Sequence, residues 1–71
     1  MNEAYERLGT NIRVEMIKNN LSTKKLAEEL EIDPTYLSSM LTGKKRFSLP
    51  ILKKIKKILP NAEIDLNVFL N

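Results

Sequence analysis

Apolar residues at the start of the chain recur with the three- and four-residue spacing of an amphipathic helix. This spacing predicts a first helix from about Asn2 to Asn19. Its expected apolar face consists of Tyr5, Leu8, Ile12, Met16 and Ile17. Asn20 can end the helix, because asparagine tolerates the left-handed backbone conformation found after many helix C-termini.

Two shorter helices are predicted in the middle of the chain. Ser22 is a candidate N-cap for a helix over residues 23–30. Asp33 is a candidate N-cap for a helix over residues 34–42, which starts with a proline, as many helices do. Gly43 can end that helix. A tight turn between the two would place them side by side.

A fourth helix is predicted from the sequence that follows a short polar loop. Ser48 can cap it, Pro50 suits its first turn, and Pro60 ends it. Its apolar stripe is formed by Ile51, Leu52, Ile55, Ile58 and Leu59, and its remaining surface by Lys53, Lys54, Lys56 and Lys57.

The last ten residues fit two patterns. Asp65 can cap a short fifth helix, whereas the apolar residues from Ile64 to Leu70 also alternate as in a strand. We favour the helix, because strand and hairpin signals are absent from the other segments. The expected fold is therefore all-α, a compact bundle of about five short helices in one domain over residues 1–71.

Composition narrows the possible chemistry. The chain has no cysteine and no histidine, which removes disulfides, imidazole bases and most zinc sites. Its one acidic cluster, Glu28, Glu29, Glu31 and Asp33, lacks the spacing of a metal-binding loop and is best explained as a solvated helix end. We therefore expect no enzyme activity, no metal and no cofactor.

The N-terminus has no apolar signal segment, and no apolar run approaches the roughly 18 residues of a membrane span. These features favour a cytoplasmic protein.

Positive charge is concentrated in one part of the chain. Residues 42–62 hold seven of the twelve lysines and arginines and no acidic residue, against a net charge of only +3. A basic segment of this kind indicates a polyanionic partner, either nucleic acid or an anionic membrane surface.

The segment LSTKKLAEELEIDPTYLSSMLTGKK, residues 21–45, resembles the phage repressor and Cro-like (XRE-type) helix-turn-helix family. A typical pattern in that family is LSQ..LA...G(V/I)S...(I/V)S....GK. The matching positions are Ser22, Leu26, Ala27, Ile32, Leu37, Ser38, Gly43 and Lys44. The resemblance covers about residues 8–70 and implies a lambda-repressor-like bundle with its helix-turn-helix at residues 22–42. Glu31 stands where the family usually has glycine, so either Glu31 is left-handed or the turn differs.

The resemblance also implies how the protein meets double-stranded DNA. Helix 34–42 would enter the major groove, while the preceding helix would straddle the phosphate backbone. The implied base-contacting residues are Pro34, Thr35, Ser38, Ser39 and Lys45. The implied phosphate-contacting residues are Ser22, Thr23, Lys24, Lys25, Tyr36, Thr42, Lys44 and Arg46. For Tyr36 two roles stay open, a hydroxyl contact to phosphate or packing across the motif.

Lys24 and Lys25 support a phosphate contact independently. They lie in the first turn of a predicted helix, where the helix dipole disfavours cations but favours a bound anion. Two ordinary exposed lysines remain the alternative explanation.

A domain of this size makes few DNA contacts, so a homodimer on a pseudo-palindromic operator is expected. The dimer-interface candidates are the apolar residues of the tail, Ile64, Leu66, Val68, Phe69 and Leu70. The alternative is a monomer whose core these residues close.

The leading functional hypothesis is a sequence-specific transcriptional regulator, a small Cro/CI-like repressor of phage or plasmid type. One alternative is the antitoxin of a toxin–antitoxin pair with the same fold, which would bind a toxin as its protein partner. Another is a basic module that binds a membrane surface or a protein, because LPILKKIKKIL in isolation resembles an amphipathic membrane-active peptide.

Overall fold

The computed structural model describes residues 3–64, and this part of the chain contains four helices and no strand. The helices are α1 (Glu3–Lys18), α2 (Thr23–Leu30), α3 (Pro34–Leu41) and α4 (Leu49–Ile58). The expected all-helical bundle is confirmed, and the four helices lie within one or two residues of their predicted bounds. The fifth helix, expected to start at Asp65, lies outside the described residues.

The hydrophobic core receives side chains from all four helices and from the loops beside α4. Helix α3 is central to it, because it contacts both α1 and α2, and α2 also contacts α4. The buried apolar residues are Leu8, Ile12, Met16, Leu26, Ala27, Leu30, Leu37, Met40, Leu41, Phe47, Leu52, Ile55, Leu59 and Ala62. Burial of one face of α3 leaves its opposite face directed at solvent.

Ile17 is not part of the core, and its assignment to the apolar face of α1 was wrong. Its side chain is 76% exposed, whereas Ile12 and Met16 are buried. At 3.6 residues per turn, Ile17 is rotated by roughly 140° from Ile12, which carries it out of the packed face. Val14 is also exposed, so α1 presents two apolar side chains to solvent.

Two of the three predicted N-caps that lie within residues 3–64 are confirmed. The Ser22 side chain accepts the Lys25 N–H at 3.0 Å, and the Asp33 carboxylate accepts the Thr35 N–H at 2.7 Å. Ser48 has the extended backbone of an N-cap residue, but its side chain makes no capping hydrogen bond. Pro50 at the second helical position has no N–H to donate, so only the N–H of Ile51 at the third position could serve such a cap.

The turn between α2 and α3 has a left-handed residue at the position where the family usually has glycine. Glu31 adopts the left-handed conformation with φ 58° and ψ 41°. Its N–H donates to Glu28 O at 3.2 Å, and the Ile32 N–H donates to Ala27 O at 3.0 Å. These two bonds satisfy two carbonyls of the last turn of α2 and offset the cost of a left-handed residue with a side chain. The turn thereby fixes where α3 begins.

Lys56 has a structural role that the sequence did not reveal. Its Nζ donates to Pro60 O and to Ala62 O, each at 2.9 Å, and so fastens the segment that follows α4. A cation near a helix C-terminus also complements the helix dipole.

Lys56→Met should therefore lower the free energy of unfolding by about 1 kcal/mol, a value below the usual range for charged hydrogen bonds because the residue is exposed. Urea denaturation measures this. Lys54→Met is the matched control on the same helix and should change stability by less than about 0.5 kcal/mol. Equal losses in both variants would contradict the role of Lys56.

Candidate nucleic-acid interface

The base-contacting candidates on α3 share one solvent-facing surface. Pro34, Thr35 and Ser38 are exposed and Ser39 is half-buried. Their spacing puts two adjacent pairs one helical turn apart, on the side away from the buried residues of the helix. The surface carries only small side chains, so a groove of DNA can approach the helix backbone closely.

The loop after α3 folds back onto the end of the helix. The backbone N–H groups of Lys44 and Lys45 both donate to Ser39 O, at 2.9 and 3.2 Å. Gly43 makes this reversal possible with φ 83°, and a Cβ there would lie 2.5 Å from Glu6 Cγ. The result is that two lysines are held beside the C-terminal end of the α3 surface.

Two aromatic rings lie under the cations of this loop. Lys45 Nζ is 5.2 Å from the centroid of the Tyr36 ring, and the Arg46 guanidinium is 6.0 Å from the centroid of the Tyr5 ring. Both distances are within the range of cation–π attraction. The first contact joins Tyr36, a phosphate-contacting candidate on α3, to Lys45, a base-contacting candidate in the loop. Sequence reasoning missed it, because no local pattern relates residues on opposite sides of a turn.

The hydroxyl groups of Ser39 on α3 and of Thr42 directly after it already donate to backbone carbonyls. Ser39 Oγ donates to Thr35 O at 3.1 Å, and Thr42 Oγ1 donates to Ser38 O at 3.0 Å. Each hydroxyl has a single proton, so Ser39 is left as an acceptor for a base donor. Thr42 can donate to a phosphate only after releasing its bond to the helix. The base and phosphate roles of these residues stay predictions.

The N-terminus of α2 retains the features of a phosphate site. Ser22 uses an oxygen lone pair for its cap and keeps its hydroxyl proton for a donor contact. Lys24 and Lys25 are exposed, and Thr23 is half-buried. Lys25 Nζ lies 3.8 Å from Glu28 across an exposed surface, a pair that contributes little and can exchange for a phosphate.

The tail candidates for a dimer interface are described only in part. Ile64 is half-buried and packs against the core, while Leu66, Val68, Phe69 and Leu70 lie outside the described residues. Asn11 of α1 donates to Glu63 O at 3.3 Å, which brings the start of the tail to the helix that exposes Val14 and Ile17. A shallow groove of about 230 Å³ separates them, lined by Asn11, Val14, Glu15, Lys18, Asn61 and Glu63.

Within residues 3–64, no set of three acidic, histidine or cysteine side chains is arranged to hold a metal ion. None of the helices in that range has the length and apolar character needed to cross a membrane.

Comparison with known proteins gives one match. The model of the helix-turn-helix family HTH_3 matches residues 12–65, which is most of the chain and includes α2, the turn and α3. No curated protein and no solved structure matches the chain. The chain therefore belongs to the XRE-type helix-turn-helix family of DNA-binding transcription regulators, the family of Cro-like and CI-like proteins.

Proposed function

We propose that this protein is a small repressor of phage or plasmid type that binds a specific double-stranded operator as a homodimer. The observation that carries the proposal is the exposed surface of α3, which has small side chains and is followed at once by cations anchored to its C-terminal end. A regulator of this type acts where the DNA is, in the cytoplasm.

Different residues supply the affinity for DNA and the readout of its sequence. Lys24, Lys25, Lys44 and Arg46 supply the phosphate contacts, which position the protein without reading sequence. Pro34 and the Thr35 methyl group suit contact with thymine methyl groups, while Ser38, Ser39 and Lys45 exchange hydrogen bonds with base edges. The short side chains of α3 form no bidentate pairs with bases, so Lys45, DNA shape and water-mediated contacts contribute a large share of the specificity.

The dimensions of the domain suit two copies on adjacent half-sites. Its principal extents are 31 × 23 × 19 Å, and half-sites one helical turn apart are separated by roughly 34 Å. Two copies can therefore lie side by side along one face of the duplex. The proposed contact between them is supplied by the apolar residues of the tail, Ile64, Leu66, Val68, Phe69 and Leu70.

Selection of bound sites from random duplexes, followed by a salt titration on the preferred site, tests this function. A dimer that neutralises about six to eight phosphates should give a slope of log affinity against log salt near −5 to −7. Sedimentation of the complex should show two protein chains per duplex. An affinity that does not change with salt, or no selected sequence, would contradict the proposal.

Single substitutions separate the two kinds of contact. Lys44→Ala should weaken the preferred and a scrambled duplex alike and make the salt slope shallower by about 2 per dimer. Lys18→Ala removes the same charge from α1, where Lys18 pairs with Glu15 at 3.4 Å, and should leave the slope unchanged.

Thr35→Ala should cost about 1–3 kcal/mol of discrimination at one base position only.

A further inference from the structure

Two contacts position Lys45 in the free protein, one at its backbone and one at the end of its side chain. Its backbone N–H donates to Ser39 O at 3.2 Å, and its Nζ lies 5.2 Å from the centroid of the Tyr36 ring. Lys44 shares the backbone contact to Ser39 O, but within residues 3–64 no aromatic ring lies beneath its ammonium group. The two neighbouring lysines therefore differ in how well their charge is positioned.

The Tyr36 ring is placed to determine where that charge stands. Tyr36 is 37% exposed and belongs to α3, the helix that carries the base-contacting candidates. A free lysine side chain samples many rotamers, and ordering it on binding opposes affinity. A ring that already attracts the ammonium group reduces this ordering cost.

We propose that Tyr36 is a positioning residue, whose ring face holds Lys45 beside the base-contacting surface of α3. This inference rests on the proposed function and assigns the specificity at one part of the operator to a pair of residues. It also decides between the two roles left open for Tyr36. The ring acts across the motif on Lys45, and the hydroxyl is dispensable.

Three variants of the full chain separate the ring from the hydroxyl. Tyr36→Phe keeps the ring and should bind the preferred duplex within about twofold of the wild type. Tyr36→Leu removes the ring and should lose about two- to fivefold in affinity for that duplex, the effect of an exposed cation–π contact. The ratio of affinities for preferred and scrambled duplexes should fall by a similar factor. Tyr36→Phe losing as much as Tyr36→Leu would overturn the role of the ring.

A double-mutant cycle tests whether the ring acts through Lys45. Tyr36→Leu should have no further effect on duplex affinity in a Lys45→Met background, and its full effect in a Lys44→Met background. Equal effects in the two backgrounds would overturn the proposal. If wild-type protein binds duplex DNA while the cycle is additive, the role of Tyr36 alone fails. If wild-type protein binds no duplex, the proposed function itself fails.

A measurement on the free protein does not depend on DNA or on the binding assay. Ring currents should shift the Lys45 side-chain methylene proton resonances upfield in wild type and Tyr36→Phe, but not in Tyr36→Leu. Dispersed amide spectra in all three proteins establish that each is folded. Lys45 resonances at ordinary positions in the wild type would overturn the contact, and with it the proposal.

Discussion

Gly9→Ala should destabilise the domain by at least about 3 kcal/mol, the upper end of overpacking costs. Gly9 is buried on α1 where that helix crosses the end of α3. A Cβ at this position would lie 2.7 Å from the Leu41 carbonyl carbon and closer still to its oxygen. Those are backbone atoms of a packed helix, so no side chain can rotate away and the two helices must separate.

The expected loss of stability is opposite in sign to the usual effect of replacing a helical glycine by alanine. In an ordinary helix interior, glycine to alanine stabilises by about 0.5–1 kcal/mol, because alanine has the higher helix propensity. Urea denaturation of Gly9→Ala should show the opposite sign and, for a domain with only a few kcal/mol of stability, a large unfolded fraction in water. Thr10→Ala is the neighbouring control on the exposed side of α1. It removes the hydrogen bonds of Thr10 Oγ1 with Glu6 O at 3.0 Å and with Arg13 at 3.2 Å but raises helix propensity, and should change stability by less than about 1 kcal/mol. A Gly9→Ala protein as stable as Thr10→Ala would refute the close approach.

The helices and most of their caps were predictable because the signals are local. The spacing of Leu8, Ile12 and Met16 follows from 3.6 residues per turn, and the caps at Ser22 and Asp33 need only a short side chain next to free N–H groups. The assignment of Ile17 failed because it followed apolarity and not spacing. Met16 continues the four-residue spacing of Leu8 and Ile12 and is buried, whereas Ile17 is rotated away from that face and is 76% exposed.

Contacts that depend on tertiary structure were not predictable. Lys56 of α4 binds the carbonyls of Pro60 and Ala62, and in the candidate site Lys45 contacts a ring on the far side of the Gly43 turn. The sequence around a lysine does not show whether its ammonium group is solvated or makes such a contact. The family resemblance indicated which positions of α3 would face DNA, and of these Pro34, Thr35 and Ser38 are exposed and Ser39 is half-buried. Their base contacts stay predictions.

Ile55→Glu should unfold the domain, and this result would separate DNA binding from the membrane-surface alternative. Ile55 is fully buried in the core beside Leu52, although α4 read alone resembles an amphipathic membrane-active peptide. The substitution removes an isoleucine worth about 2–5 kcal/mol and leaves a carboxylate among apolar side chains. That sum exceeds the stability expected of so small a domain.

Ile17→Glu provides the same chemical change at an exposed position. Ile17 is 76% exposed, so a carboxylate there stays hydrated and should alter stability by less than about 1 kcal/mol. Circular dichroism during thermal unfolding should show a cooperative transition for Ile17→Glu and none for Ile55→Glu. If α4 worked as a membrane-binding peptide, its apolar stripe would have to be free. A folded Ile55→Glu protein that has lost only liposome binding would then support the membrane alternative. Because Ile55 and Leu52 are buried and Ile51 and Ile58 pack against the core, the lysines of α4 have no free apolar stripe to accompany them into a lipid surface.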